Sequence, residues 1–170
     1  MNNEMKLSGG VPRRYIPKML SARDKKTLRK ELKRSRSSYG KSKYYTRKKV
    51  ASFKSKPSKH VVNAKRIYNV DNVLPSKELA DKTGCSIDTL ERIMKKGQGA
   101  YFSSGSRPNQ TGHSWGVARL ASGITGGKAA AVDYSILENG CKPKSTALRL
   151  AKKSRKKNGY GNRRVPQVKL

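Results

Sequence analysis

Five residues in the second half of the chain carry the side chains that nucleophilic catalysis uses: Ser103, Ser104, His113, Ser114 and Asp133. A serine hydroxyl would be the nucleophile, the imidazole the general base, and the carboxylate the group that orients it. Their spacing matches no nucleophile elbow, P-loop or paired-carboxylate pattern, and the residue types alone are common in any chain. The sequence therefore predicts a protein that is not an enzyme, with no bound cofactor and no small-molecule substrate.

The segment SSGSRPNQT, residues 103–111, is a second place where chemistry could occur. Its glycine, its hydroxyl groups and Arg107 could hold one phosphate through backbone N–H groups. An enzyme acting on nucleic acid would depend on this loop and on His113. We prefer the alternative, in which Asn109, Gln110 and His113 satisfy backbone groups of an irregular loop.

The cysteines and histidines do not form a metal-binding pattern. Cys85 and Cys141 lie 56 positions apart, and His60 and His113 lie 53 positions apart. Neither spacing is typical of a metal site, so no metal is predicted. Two cysteines allow one disulfide, but nothing else in the sequence indicates an oxidising compartment. We therefore expect two buried, reduced thiols.

Positive charge is the strongest signal in the sequence. The 170 residues contain 41 Lys and Arg against 10 Asp and Glu, a formal net charge of +31. The net charge is +17 over residues 1–60, +3 over residues 61–141 and +11 over residues 142–170. This segregation predicts a basic N-terminal arm (1–56), a small helical domain (57–141) and a basic C-terminal arm (142–170). Both arms have few large apolar residues, so we expect them to be extended or conditionally helical.

Cations interleaved with aromatic rings indicate nucleic-acid binding, because cations neutralise phosphates while rings stack on exposed bases. The N-terminal arm has this texture from Tyr39 to Lys59, and the C-terminal arm carries the run AKKSRKK. An alternative is that the rings anchor the arm to a neighbouring protein, and a nuclear import signal is a weaker reading of AKKSRKK. The residues that we expect to bind nucleic acid or another polyanion are Arg13, Arg14, Arg29, Lys33, Arg34, Arg36, Tyr44, Tyr45, Arg47, Lys48, Lys49, Arg92, Lys95, Lys96, Arg107, Lys152, Lys153, Arg155, Lys156 and Lys157.

Capping residues, glycines and apolar spacing predict a mainly α fold, with a helix-turn-helix-like pair, a glycine-rich loop and the two flanking basic arms. The predicted helices run from Ser21 to about Arg36, from Pro57 to Tyr68, from Lys77 to Thr83, from Ile87 to Lys96, from Thr111 to Ile124, from Lys128 to Glu138, and over about residues 147–157. We expect residues 97–108 to form a compact loop, and Trp115 to be a core residue.

The pair around Gly84 has the spacing of a helix-turn-helix, with Ala80 small enough for close helix contact. In a DNA-binding helix-turn-helix protein, the second helix would enter the major groove. It would present Ser86, Asp88, Thr89, Glu91, Arg92 and Lys95. Because Asp88 and Glu91 would repel phosphates, we prefer a purely structural helix pair. The alternative is a DNA-binding pair whose second helix contacts the major groove.

Three segments carry a family resemblance: VPRRYIPKMLSARDKK, YYTRKKVASFKSK and the block GCSIDTLERIMKKGQGAYFSSGSRPNQTGHSWGVARLASGITGGKAAAVDYSILENGC. Together they resemble uncharacterised proteins encoded by large DNA viruses of algae and protists and by some tailed phages. The resemblance extends from about Tyr15 to Cys141. That family has no assigned enzyme activity or catalytic residues, so the resemblance implies a viral setting and no reaction.

Charge and resemblance together favour a non-enzymatic virion component, either a minor capsid protein or an internal basic protein. Its arms are expected to bind acidic protein surfaces or packaged nucleic acid. Its expected partners are capsid or other virion proteins and nucleic acid, with DNA favoured over RNA. We expect it in the capsid interior or on the inner capsid surface, and in host cytoplasm or nucleus during assembly. No stretch reaches the roughly 20 apolar residues of a membrane span, and the N-terminus does not resemble a secretory signal. The alternative is a viral transcription regulator that uses the helix-turn-helix.

Overall fold

The computed structural model describes residues 9–162 and 165–170, and in these residues the fold is mainly α, as predicted. The helices are α1 (Ala22–Gly40), α2 (Lys59–Tyr68), α3 (Lys77–Thr83), α4 (Ile87–Ser103), α5 (Gly112–Ile124), α6 (Lys128–Val132), α7 (Tyr134–Gly140) and α8 (Thr146–Asn158). A 3-10 turn covers Arg13–Tyr15, and two short strands are β1 (Val11–Pro12) and β2 (Gln167–Val168). No helix of the described residues is long and apolar enough to span a bilayer.

The chain divides into two compact units that differ from the three predicted segments. Of the described residues, the first unit contains 9–56, 98–115 and 165–170, and the second contains 57–97 and 116–162. One boundary between the two units lies between residues 56 and 57. However, residues 9–56 are part of a folded unit, and most of the predicted C-terminal arm belongs to the second unit.

The first unit contains its own apolar core. Ser21 caps α1 as predicted, its Oγ accepting a hydrogen bond from the Asp24 N–H at 3.1 Å, and the helix continues past Arg36 to Gly40. Leu28 and Leu32 form a narrow apolar stripe on α1. They are buried because they pack with apolar residues from before and after the helix. The buried members of this core are Val11, Tyr15, Ile16, Leu20, Leu28, Leu32 and Val50.

The end of the chain is also part of the first unit. β2 pairs antiparallel with β1, with Val168 opposite Val11. The Arg13 N–H donates to the Pro166 carbonyl at 2.9 Å. Val168, Leu170 and Trp115 pack partly buried against the core, so Trp115 has the core role expected of it. The extended tail predicted at the C-terminus is therefore replaced by a paired strand over its last described residues.

The second unit is a helical core closed by α8. Ser76 caps α3 by accepting from the Leu79 N–H at 3.1 Å, and α3 ends at Gly84, whose φ of 77° favours glycine. In α8, Ala147, Leu148 and Ala151 are buried in the core of this unit. Because these residues contact the other helices, residues 142–158 are an integral part of the domain and not a basic arm.

Two further helices differ in extent from the predictions. α4 continues through Gly97 and Gly99 to Ser103, so the predicted loop is reduced to residues 104–111. A glycine inside a helix costs about 1 kcal/mol, and the burial of residues such as Tyr101 outweighs this cost. The helix predicted over Lys128–Glu138 is divided at Asp133 into α6 and α7.

Candidate polyanion-binding surfaces

Helix α8 presents a row of cations on its outer surface. Its N-cap is Ser145, whose Oγ accepts from the Leu148 N–H at 3.2 Å. Its inner side consists of Ala147, Leu148, Ala151 and Ser154, all buried. Four exposed cations follow the spacing i, i+3, i+4, i+7, which places them on one side of a helix. We call this set the α8 basic face: Arg149, Lys152, Lys153 and Lys156.

The α8 basic face contains repulsive contacts within the helix itself. Arg149 with Lys153, and Lys152 with Lys156, are like-charged pairs at i, i+4, each costing about 0.2–0.5 kcal/mol. Residues 142–170 contain no Asp or Glu that could offset this repulsion. The buried inner side holds the helix in place despite the repulsion. A bound polyanion would relieve it.

Helix α1 carries a similar row in the first unit. Four exposed cations at i, i+3, i+7 and i+10 extend for about 15 Å along the helix. We call this set the α1 basic face: Arg23, Lys26, Lys30 and Lys33. The side of α1 directed into the unit consists of Leu28, Glu31, Leu32 and Ser35, all buried.

The acidic side chains of the described residues do not neutralise these faces. The ion pairs are Lys82 with Glu78 at 3.7 Å, and Lys96 and Arg119 with Asp133 at 2.6 and 2.8 Å. None of the cations of either basic face takes part in them. Apart from the electrostatic interaction of Arg23 with Asp24, the positive charge of the two faces is therefore available to a ligand.

Asp133, considered above as an orienting acid, is the centre of a buried ion cluster. Arg119 donates from Nε to Oδ2 at 2.8 Å and from its terminal nitrogen to Oδ1 at 2.9 Å, and Lys96 donates to Oδ1 at 2.6 Å. Burial alone would raise the pKa of Asp133, but the hydrogen bonds and charges of Arg119 and Lys96 outweigh burial and hold that pKa below its ordinary range. Lys96, predicted to bind a polyanion, is therefore paired with a buried carboxylate, although its own side chain is 47% exposed.

Arg47 is a second predicted polyanion-binding residue that has an internal role. Its side chain is only 7% exposed and donates to Ser35 Oγ at 2.8 Å, the Tyr101 carbonyl at 2.7 Å and Ser106 Oγ at 2.7 Å. The guanidinium also lies over the Tyr101 ring, 3.7 Å from its centroid. Desolvation lowers the pKa of Arg47. The position predicted for phosphate contact instead holds three segments of the first unit together.

The remaining predicted residues fall into two groups. Arg29, Arg36 and Arg155 are partly buried and donate to the carbonyls of Lys169, Ser104 and Ala131 respectively. Tyr45 is partly buried and donates to Glu31 at 2.9 Å. The exposed ones are Arg13, Arg14, Lys33, Arg34, Tyr44, Lys48, Lys49, Arg92, Lys95, Arg107, Lys152, Lys153, Lys156 and Lys157. Sequence reasoning missed Arg23, Lys26, Lys30 and Arg149, although helical spacing within the predicted or neighbouring helices would have identified them.

The backbone of the glycine-rich loop is occupied by internal hydrogen bonds. The N–H groups of Ser104 and Gly105 donate to the Ala100 carbonyl at 2.9 and 3.0 Å, so neither is directed at a phosphate. Asn109 accepts from the Val50 N–H at 2.7 Å and donates to the Val50 carbonyl at 3.1 Å. The preferred interpretation of the loop as a structural element is confirmed for Asn109.

The segment predicted as a helix-turn-helix-like pair comprises α3, Gly84 and α4, and the turn between the two helices is hydrogen-bonded to the chain at the end of α7. The Ser86 N–H donates to the Gly140 carbonyl at 2.9 Å, and the Lys142 N–H donates to the Gly84 carbonyl at 2.8 Å. Thr89 is buried, whereas in a DNA reader this part of the second helix contacts bases. The exposed charged residues of α4 in this region are Asp88, Glu91, Arg92 and Lys95, which sum to zero charge.

A disulfide joins Cys85 to Cys141, so the prediction of two reduced thiols is wrong in this structure. The two cysteines face each other in an isolated antiparallel bridge that brings together the start of α4 and the end of α7. This pairing depends on how α4 and α7 pack, and a spacing of 56 residues does not reveal it.

Comparison with known proteins places these features in a family. Residues 12–139 match DUF5824, a family of unknown function. The chain belongs to this family. No curated protein and no solved structure matches it. The predicted resemblance to an uncharacterised family is thus confirmed, and its viral setting stays a prediction.

The DUF5824 match includes one of the two basic faces and not the other. It includes the whole of α1 and therefore the α1 basic face, but it ends at residue 139, before α8 begins. Cys85 lies inside the DUF5824 match and Cys141 lies just outside it. The family match therefore gives no information on the α8 basic face, which is identified only from the structure of this chain.

Proposed function

We propose that this DUF5824 protein is a non-enzymatic structural component of a virus particle that binds the phosphates of packaged nucleic acid. The observation that carries the proposal is the pair of helices α1 and α8, each with four exposed cations in one row. The resemblance to viral proteins supports the particle as its location. The capsid interior, where polyanions are concentrated, suits a protein with a net charge of +31.

Counterion release explains how such faces would bind. Each Lys or Arg that contacts a phosphate displaces a condensed cation from the nucleic acid, and the entropy of that release stabilises the complex. Such binding does not depend on sequence, which suits a protein that must cover a whole genome. A row of cations on a preformed helix also loses less conformational entropy on binding than an unfolded arm would lose.

The surface of α4 argues against the alternative of a transcription regulator. A groove reader needs its second helix accessible and its surface attractive to phosphates. Here Thr89 is buried, and the exposed Asp88, Glu91, Arg92 and Lys95 together carry no net charge. Sequence-selective binding lost on Arg92→Ala or Lys95→Ala would nevertheless favour the regulator over the structural protein.

Replacing the four residues of the α8 basic face by Gln is expected to weaken binding to random-sequence duplex DNA. It should also reduce the magnitude of the log–log slope of affinity against salt by about 3 to 4, since each lost phosphate contact contributes about 0.9. Fluorescence anisotropy of labelled DNA over a range of salt concentrations measures both quantities on the full chain.

The matched control changes four exposed lysines that do not share a helix face: Lys18, Lys54, Lys77 and Lys142 to Gln. It lowers the net charge by the same amount but leaves the α8 basic face intact. Its salt slope should therefore stay close to that of the unchanged protein. If both variants weaken binding equally, binding depends on net charge alone and the α8 basic face is not a site. Quantifying the chain in purified particles tests the location, because absence from particles would contradict a structural role.

A further inference from the structure

An exposed aromatic row at the C-terminal end of α1 provides a stacking surface in the first unit. Three rings follow one another outward: Phe102, Tyr44 and Tyr39. The ring centroids of Phe102 and Tyr44 are 5.1 Å apart, and those of Tyr44 and Tyr39 are 6.2 Å apart. Tyr44 is 72% exposed, although it contacts both neighbours. From this arrangement we infer that the protein binds single-stranded nucleic acid by stacking unpaired bases on Tyr44 and Tyr39.

The row is anchored in the core of the first unit. Phe102 packs edge-on against Tyr101, with centroids 4.9 Å apart, and Tyr101 is fully buried. The side chain that alanine would add at Gly112 would lie 2.8 Å from the Phe102 ring, so glycine is needed there to leave room for it. The inner end of the row is therefore held in position before any ligand binds.

The turn that carries Tyr44 is held by backbone hydrogen bonds. The N–H groups of Lys41 and Lys43 both donate to the Ser38 carbonyl, at 3.0 and 2.8 Å, and the Ser42 N–H donates to the Tyr39 carbonyl at 2.9 Å. Ser42 adopts a φ of 59°, which reverses the chain after α1. Because both rings are positioned in advance, stacking a base on them costs little side-chain entropy.

The charges beside the row suit a nucleic-acid backbone. Lys41 and Lys43 are exposed on either side of Ser42, within the same turn as the rings. A strand could therefore place phosphates against these two lysines while its bases reach the rings, which is the combination found in single-strand binding proteins.

Stacking distinguishes single strands from duplexes. In a duplex the faces of the bases are covered by their neighbours, and only their edges are accessible in the grooves. Within an intact duplex an exposed tyrosine finds no free base face, so it favours unpaired bases. This inference rests on the proposed binding of nucleic acid and adds which form of it the first unit recognises.

Tyr44→Ala is expected to lower the affinity of the full chain for a labelled oligothymidine of about 20 nucleotides roughly tenfold. The salt slope should not change, because no phosphate contact is lost. Affinity for a duplex of the same length, and for inorganic polyphosphate, which has no bases, should stay the same. Tyr44→Phe keeps the ring and should retain the affinity for oligothymidine.

Tyr160→Ala is the matched control, because Tyr160 is equally exposed, at 71%, and lies over Arg155 in the second unit. It should leave oligothymidine binding unchanged. An equal loss of affinity for oligothymidine, duplex and polyphosphate on Tyr44→Ala would overturn the inference, as would no loss at all. Failure of the unchanged protein to bind any of the three would overturn the proposed function itself. Trp115 fluorescence, from a residue of the same unit, checks that Tyr44→Ala is folded.

Discussion

Reduction of the disulfide between Cys85 and Cys141 is expected to lower the free energy of unfolding of the second unit by about 4 kcal/mol. The bond closes a loop of 56 residues, which removes many conformations from the unfolded chain. In the folded unit the same contact is held by backbone hydrogen bonds of Ser86 and Lys142, so the native state gains little freedom on reduction. Urea unfolding followed by far-UV circular dichroism, with and without dithiothreitol, measures the difference.

A variant with Cys85→Ser and Cys141→Ser provides the control. It should be as unstable as the reduced protein, and dithiothreitol should not affect it further. Hydrogen exchange measured on peptides should locate the lost protection in residues 57–97 and 116–162, which form the second unit. An unfolding midpoint that does not respond to reductant would show that the bond contributes no stability.

Local chemistry explains why the starts of the helices were predicted correctly. Ser21, Ser76 and Thr111 each cap the helix expected after them, because a capping hydroxyl bonds to an N–H only two or three residues away. Gly84 ends α3 for a similar reason, since its left-handed conformation depends on the residue itself. Such signals are contained within a few positions and can be recognised in one sequence.

The organisation into units depends on contacts that sequence spacing does not reveal. Leu28 and Leu32 form too thin a stripe to stabilise a helix alone, yet Val50 and Tyr15 complete a core around them. The same holds for α8, which is basic in composition but has a buried side of small residues. The high charge of these segments predicted extended arms, whereas the structure has folded helices there. The difference arises because the burial of a residue depends on partners that are distant in the chain.

The residue types of the candidate polyanion-binding surfaces could be predicted from the sequence, but their arrangement could not. Composition identified the cations, and most of those proposed are exposed. Arg47 and Lys96 have the same chemical character as their exposed neighbours, and only the structure distinguishes them by burial and by the Asp133 carboxylate. The rows on α1 and α8 require the extent of each helix, and the disulfide requires the tertiary fold.

Asp133→Asn is expected to lower the free energy of unfolding by about 3 kcal/mol at neutral pH, because it leaves two cations without their shared counter-charge. The carboxylate is fully buried and connects Lys96 of α4 and Arg119 of α5 to the junction of α6 and α7. Lys96 and Arg119 are 47% and 22% exposed, so water can solvate them in part, which keeps the loss at the lower end for a buried ion pair. Urea unfolding at pH 7 measures this loss.

Glu138→Gln is the matched control, since it removes one negative charge from an exposed position of α7 and should change the stability only slightly. A loss as large as that of Asp133→Asn would show that net charge, and not the buried cluster, determines the effect. A double-mutant cycle with Arg119→Met separates the interaction of the two side chains from the effect of each substitution alone.

The pH dependence of the free energy of unfolding should show whether Asp133 is ionised in the folded protein. Because Arg119 and Lys96 hold the pKa of Asp133 below its ordinary value, the ionised side chain stabilises the fold above about pH 4. That stabilisation is lost as the pH falls through the lowered pKa, where the proton binds and the ion pairs break. The difference in stability between the unchanged protein and Asp133→Asn should therefore be constant from pH 5 to 7 and shrink below about pH 4. A difference that does not change with pH would contradict an ionised Asp133 in the folded protein.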